Sequence, residues 1–221
     1  MDEEKNELNI NNEEDDNKMF DNMFEKLKDN YIFVDIDGTL AEYRFNNHVS
    51  AKDGTTNGQT LEEIKNHIFL KSRPLKSIIN ILSMVSKRKE DKNIGGIYIC
   101  GAIISPIELL DKIEWLKMNC KDIQFNNNFW FVPTEYWNDF KKYFELENNK
   151  LKFNILEIAD NQFNTSYGLI IKGSKIQIWD YIKNNNLLNL NNIIFIDDVL
   201  SYLKFAEEKG VTSYHISSFI N

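Results

Sequence analysis

Four short stretches of the chain are apolar at almost every position: Tyr31–Val34, Ile94–Cys100, Asn128–Val132 and Ile193–Ile196. A strand with one face in water alternates polar and apolar side chains. A run with no polar face must be covered on both sides. A fifth such stretch is expected at Val211–Ile216. Between these runs apolar residues recur at helical spacing. Leu75, Ile78, Ile79, Leu82 and Val85 mark one helix, and Leu109, Ile113 and Leu116 a second. Ile178, Trp179 and Ile182 mark a third. Leu200, Leu203 and Ala206 mark a fourth, with Gly210 placed to stop it. Buried strands that alternate with helices imply an α/β fold, a doubly wound parallel sheet with helices on both faces.

The rhythm breaks twice, near residues 41–74 and 133–171, and both regions read as insertions or a small cap. Residues 1–17 are rich in Asn, Asp and Glu and read as a disordered acidic tail. Met19, Phe20, Met23, Phe24 and Leu27 follow at helical spacing and predict a short docking helix. Residues 18–221 therefore read as one domain. The repeated Asn triplets reflect compositional bias, since no fixed period accompanies them. The formal net charge of −8 and the lack of a basic cluster make nucleic acid and anionic membranes poor partners. Cys100 and Cys120 have neither a disulfide nor a zinc spacing, and no apolar stretch is long enough to span a bilayer. The chain reads as cytoplasmic.

The first apolar run continues as "YIFVDIDGTLAEY" and ends on Asp35 and Asp37. Side chains two apart on a strand point the same way. The two carboxylates can therefore converge at the strand end, where Gly38 lets the backbone turn. Nearby buried carboxylates repel, and a divalent cation resolves the conflict. Mg²⁺, which favours a few oxygen ligands, water and a substrate phosphate, suits such a place. The plainer reading makes both residues ordinary strand-end and turn residues. "NIIFIDDVL" shifts the balance, because it is a second apolar strand that ends on acids, Asp197 and Asp198. Ligands of doubly wound sheets bind beyond the carboxyl ends of strands at the point where strand order reverses. Capping of the following helix is the plain role for either acid.

"FVDIDGTL" followed far downstream by "IIFIDDV" resembles the haloacid dehalogenase-like superfamily of phosphohydrolases, whose core is Rossmann-like. The resemblance implies that Asp35 is the nucleophile of an aspartyl-phosphate mechanism. It implies that Asp37 is the general acid and then the base. Asp35, Asp37 through its carbonyl, and Asp197 would hold Mg²⁺, with Asp198 orienting the site or assisting the metal. Gly38 and Thr39 belong to the same first motif and fall beside the phosphate. The family also places a lysine before the fourth strand, and "IIKGSKIQIWDYI" offers Lys172 and Lys175. Ser174-x-x-Gln177 matches a capping box, so Lys175 falls in a first helical turn, where a cation is unfavourable unless an anion binds. That favours Lys175. At the end of the second strand the family has Ser or Thr, and this chain has Cys100 and Gly101. Gly101 still offers a backbone N–H to phosphate. Ser105 reads as a helix cap in Ser105-Pro106-Ile107-Glu108.

The resulting expectation is a Mg²⁺-dependent phosphomonoester hydrolase acting on a phosphorylated small molecule. The alternative is a catalytically impaired phosphate-sensing or protein-interaction module on the same scaffold. A receiver domain also uses strand-end acids and a lysine, but its acidic pair comes early and its single acceptor Asp later. Other residues carry weaker signals. The aromatic stretch "NNFWFVPTEYWNDF" reads as a core strand and a packed connection rather than a stacking surface. His48, His67 and His215 share no ligand spacing, and His215 reads as structural. Tyr43 and Arg44 follow the first motif closely enough to reach a substrate.

Overall fold

The computed structural model describes residues 25–27, 30–42, 61–88, 95–143 and 155–219. The tail expected over residues 1–17 lies outside them, as do Tyr43, Arg44 and His48. Of the expected docking helix only 25–27 is described. It is helical, and Leu27 is buried in the core.

Among the described residues eight strands form one sheet: β1 (Tyr31–Val34), β2 (Gly96–Ala102), β3 (Phe129–Val132), β4 (Ile155–Ala159), β5 (Gln162–Thr165), β6 (Gly168–Lys172), β7 (Ile193–Asp197) and β8 (Thr212–His215). Their spatial order is β4-β5-β6-β3-β2-β1-β7-β8. The pairs from β6 through β3, β2, β1 and β7 to β8 are all parallel. From β1 the chain builds first toward β2 and β3, and later returns to place β7 on the other side. The order thus reverses between β1 and β7, and ligands of such sheets bind beyond the carboxyl ends at a point of this kind.

The helices are α1 (Leu61–Lys65), α2 (Lys76–Arg88), α3 (Pro106–Asn119), α4 (Ile178–Asn184) and α5 (Leu200–Glu208), and residues 137–143 add a further helical turn. Ile32, Val34, Ile97 and Ile99 pack with Ile78, Leu82, Leu109 and Trp115 from α2 and α3. On the other face Phe33, Cys100 and Phe195 pack with Ile178, Trp179, Ile182 and Leu203 from α4 and α5. Both faces are covered, which is why the strands need no polar alternation. This is the Rossmann-like α/β arrangement that the apolar runs imply. Among the described residues no helix is long and apolar enough to cross a membrane.

The two irregular regions differ from expectation in different ways. The region near 133–171 is not simply an insertion, because much of it joins the sheet. β5 runs antiparallel between β4 and β6, and β6 sits parallel beside β3. Asp160 and Asn161 alone connect β4 to β5, a pair suited to a tight turn. Thr165 closes the next turn by donating to the Gly168 carbonyl at 2.8 Å. In the region near 41–74, the described residues 61–74 pack on α3. Phe69 is buried edge-on against Trp115, whose indole N–H donates to the Ser72 carbonyl at 2.8 Å. The two ends of the excursion are stitched together, with Glu42 N–H on the Arg73 carbonyl and Leu75 N–H on the Leu40 carbonyl. The aromatic stretch is core: Trp130 is fully buried and Trp137 stacks on Phe163.

Candidate active site

The carboxyl end of β1 leads straight into a tight turn. Asp35 N–H still donates to the Ile196 carbonyl of β7 at 3.0 Å, so the residue is held in register one position beyond the strand. The Ile36 carbonyl then accepts from both Leu40 and Ala41. Gly38 has φ of 76°, a left-handed conformation that a side chain resists, and its N–H donates to Ala41 at 2.8 Å. The N–H groups of Gly38 and Thr39 are both engaged within this turn. The Thr39 hydroxyl is fully buried and has no hydrogen-bond partner among the described residues.

Asp35, Asp197 and Asp198 offer carboxylate oxygens that all lie within 4.8 Å of one another. Lys175 enters this group from the loop after β6. Its Nζ lies 2.8 Å from Asp35 Oδ1 and 2.8 Å from Asp197 Oδ2. Asp197 Oδ1 accepts from the Val199 N–H at 2.8 Å, so both of its oxygens are used. Asp198 Oδ1 is buried and has no hydrogen-bond partner among the described residues. Three carboxylates share one ammonium in a nearly dry place, and the electrostatics follow. Burial pushes Asp35 well above the usual carboxylate range; Lys175 opposes this, while Asp197 and Asp37 add to it. Burial and Asp197 push Asp198 up to about 7. Burial alone would lower the Lys175 ammonium, but Asp35 and Asp197 together hold it well above the ordinary lysine value. Such a cluster has one cation too few. The donors are all hard oxygens and one of them is an orphan, so the three acids could hold a metal ion.

Asp37 stands beside the cluster, near enough for its charge to raise Asp35 and Asp198. Its carboxylate lies outside the three-acid group, and its Oδ2 accepts from Lys112 Nζ at 2.7 Å. Lys112 is only 1 % exposed and was missed in the sequence. It also donates to Glu108 Oε1 at 2.8 Å and to the Ala102 carbonyl at 2.7 Å. The available signal was a lysine on the buried helical stripe of Leu109, Ile113 and Leu116. A charge on such a stripe needs a buried partner, but spacing does not say which one.

Ser105 is the N-cap of α3, its hydroxyl accepting from the Ile107 N–H at 3.0 Å. Glu108 reaches back to the Ile104 N–H rather than to that of Ser105. The expected capping box therefore closes one residue early. Gly101 is not at the strand end, because β2 continues through Ala102. A Cβ at 101 would point at the Trp130 ring, 3.2 Å away, and toward Ile36 in the core. Cys100, on the opposite face, lies close enough to Lys175, Asp35 and Asp197 to feel their charge, although burial dominates and raises its thiol. Alternation puts Ala102 on that same face.

In the loop that delivers Lys175, the Ser174 N–H donates to the Gln177 side chain at 3.2 Å, as the capping pattern predicts. Lys172 ends β6 and pairs in register with Val132. His215 Nδ1 accepts from the Ser217 N–H, so Nε2 carries the proton that is donated to the Asp198 carbonyl at 3.0 Å. His67 pairs with Asp111 at 2.8 Å on the outer side of α3. A surface cleft of about 770 Å³ lies away from the acids, along Lys117, Lys121, Asn126, Asn128 and Tyr167. Comparison with protein-family models and with curated proteins finds no match for this chain.

Proposed function

We propose that this chain is a Mg²⁺-dependent phosphomonoester hydrolase of the haloacid dehalogenase-like type, acting on a phosphorylated small molecule. The observation that carries the reading is the meeting of Asp35, Asp197, Asp198 and Lys175 at the carboxyl ends of β1 and β7, with Lys175 2.8 Å from two of the three acids. An Asp35 oxygen attacks phosphorus, and the bond from phosphorus to the leaving oxygen breaks. Asp37 gives its proton to that oxygen. It then takes a proton from the water that cleaves the aspartyl-phosphate and frees Asp35. Lys175 offsets negative charge on Asp35 and on the transferring group. Mg²⁺ held by Asp35 and Asp197, with the Asp37 carbonyl and with Asp198 assisting, would supply further charge neutralisation. Because Lys112 takes Asp37 Oδ2, Oδ1 remains for proton transfer.

One observation favours a second reading, a phosphate-binding or interaction module with impaired turnover. The end of β2 presents Ala102 where a hydroxyl donor would be expected, and Ser105 is committed to its cap. A single assay separates the two. Purified protein with Mg²⁺, tested against a panel of phosphomonoesters, should release phosphate from at least one and stop in EDTA. Asp35→Asn should abolish turnover and remain folded. Phosphate release that survives Asp35→Asn would overturn the nucleophile; binding without release would favour the module.

A further inference from the structure

We infer that Lys112 is a positioning residue that fixes Asp37 for proton transfer, acting with Glu108 as its brace; this deepens the phosphohydrolase reading and rests on it. Lys112 has three N–H donors, and all three are committed. They go to Asp37 Oδ2, to Glu108 Oε1 and to the Ala102 carbonyl, at 2.7, 2.8 and 2.7 Å. Two of these acceptors are fixed independently of Asp37. The Ala102 carbonyl belongs to β2, and Glu108 Oε2 is anchored on the Ile104 N–H at 2.7 Å. The Phe69 ring closes the surroundings, with its centroid 5.4 Å from Nζ. The ammonium is thus held by α3 and the end of β2, and its third proton is aimed at Asp37.

Helix packing does not require this charge. Leu109, Ile113 and Leu116 line the same stripe, and an apolar residue at 112 would extend it. A buried lysine gives up rotamer freedom and hydration, so its place needs another explanation. Asp37 provides one. It stands on a turn, two residues beyond Asp35, and its side chain is 15 % exposed. Without a tether it can rotate toward water. Each acid of the first motif thus has its own lysine: Lys175 beside Asp35, which forms the bond to phosphorus, and Lys112 beside Asp37, which moves the proton.

The test exploits leaving-group dependence. Proton donation matters most when the leaving oxygen is basic, so up to leaving-group departure, the part of the reaction that kcat/KM reports, phenyl phosphate depends on Asp37 and 4-nitrophenyl phosphate far less, while the later base step on water is common to both esters. Lys112→Met alone would strand Glu108, so the variant is Lys112→Met with Glu108→Gln, and its folding is checked by thermal melting. Its kcat/KM on phenyl phosphate should fall by about 100-fold, with a loss of about fivefold or less on 4-nitrophenyl phosphate. In an Asp37→Asn background the same pair of changes should cost about twofold or less, because it acts through a group already removed. Equal losses on both esters, no loss on either, or full additivity with Asp37→Asn would overturn the inference and leave the phosphohydrolase reading standing. A wild-type protein inert toward both esters, and toward the phosphomonoester panel, would overturn that reading and this inference with it.

Discussion

Asp198 keeps a buried Oδ1 without a hydrogen-bond partner among the described residues, and its carboxyl is pushed up to about 7 from an ordinary 3.8. The sign of the consequence is fixed. Below about pH 4 both the folded and the unfolded carboxyl hold a proton; between about 4 and 7 only the folded one does. The metal-free fold should therefore lose stability as pH rises through that window and level off above it. A cation must displace the same proton. Mg²⁺ should bind more weakly at pH 6 than at pH 8 and release protons at the lower pH. Calorimetry in buffers of different ionisation enthalpy measures that release, and equal affinity at the two pH values would contradict it. Lys112 shows what a single residue hides at this scale. Its helical stripe is plain in the sequence, but Asp37 lies 75 positions away.

β2 decides how the site is lined. The apolar run marks the strand, but only the ladder shows that it continues to Ala102, paired with Phe131. Gly101 therefore lies within the strand, and a side chain there would meet Trp130 and Ile36 rather than the acids. Gly101→Ser should not supply a hydroxyl to the site. It would press a polar group against Trp130, where the Cβ already meets the ring at 3.2 Å, and cost about 1–3 kcal/mol as a buried unsatisfied hydroxyl. Ala102→Ser places its hydroxyl on the Cys100 face and should be tolerated, with kcat equal to or above wild type. Urea unfolding and phosphatase assays on the two variants check this. A stable Gly101→Ser with raised kcat would mean that the register has been misassigned. The meander β4–β6 was illegible for a related reason. The Asn-rich background blurs alternation there, and antiparallel pairing to β6 is a long-range choice rather than a local one.

For the whole molecule, the site exists because three separate stretches meet at one end of the sheet: the turn after β1, the loop before α4 and the end of β7. Among the described residues, Lys175 is the cation that offsets Asp35 and Asp197 by direct contact. Removing one partner of a buried ionic group leaves charge uncompensated, at about 3–5 kcal/mol. Lys175→Met should lose that order of stability in EDTA and recover part of it in Mg²⁺, whereas Asp35→Asn should be nearly as stable as wild type. Denaturant titrations with and without Mg²⁺ measure both; indifference of Lys175→Met to the cation would argue against a metal among these acids. The order of residues along the chain already specifies the alternation of buried strands and helices. It also specifies that two strands end on acids and that Lys175 opens a helical turn, because each is written in neighbouring residues and their periodicity. Tertiary structure decided that β1 and β7 are adjacent, that Asp37 stands beside the acid cluster and pairs with Lys112, and that the second irregular region completes the sheet. Those outcomes depend on strand order, register and burial, which arise from contacts between residues far apart in the chain.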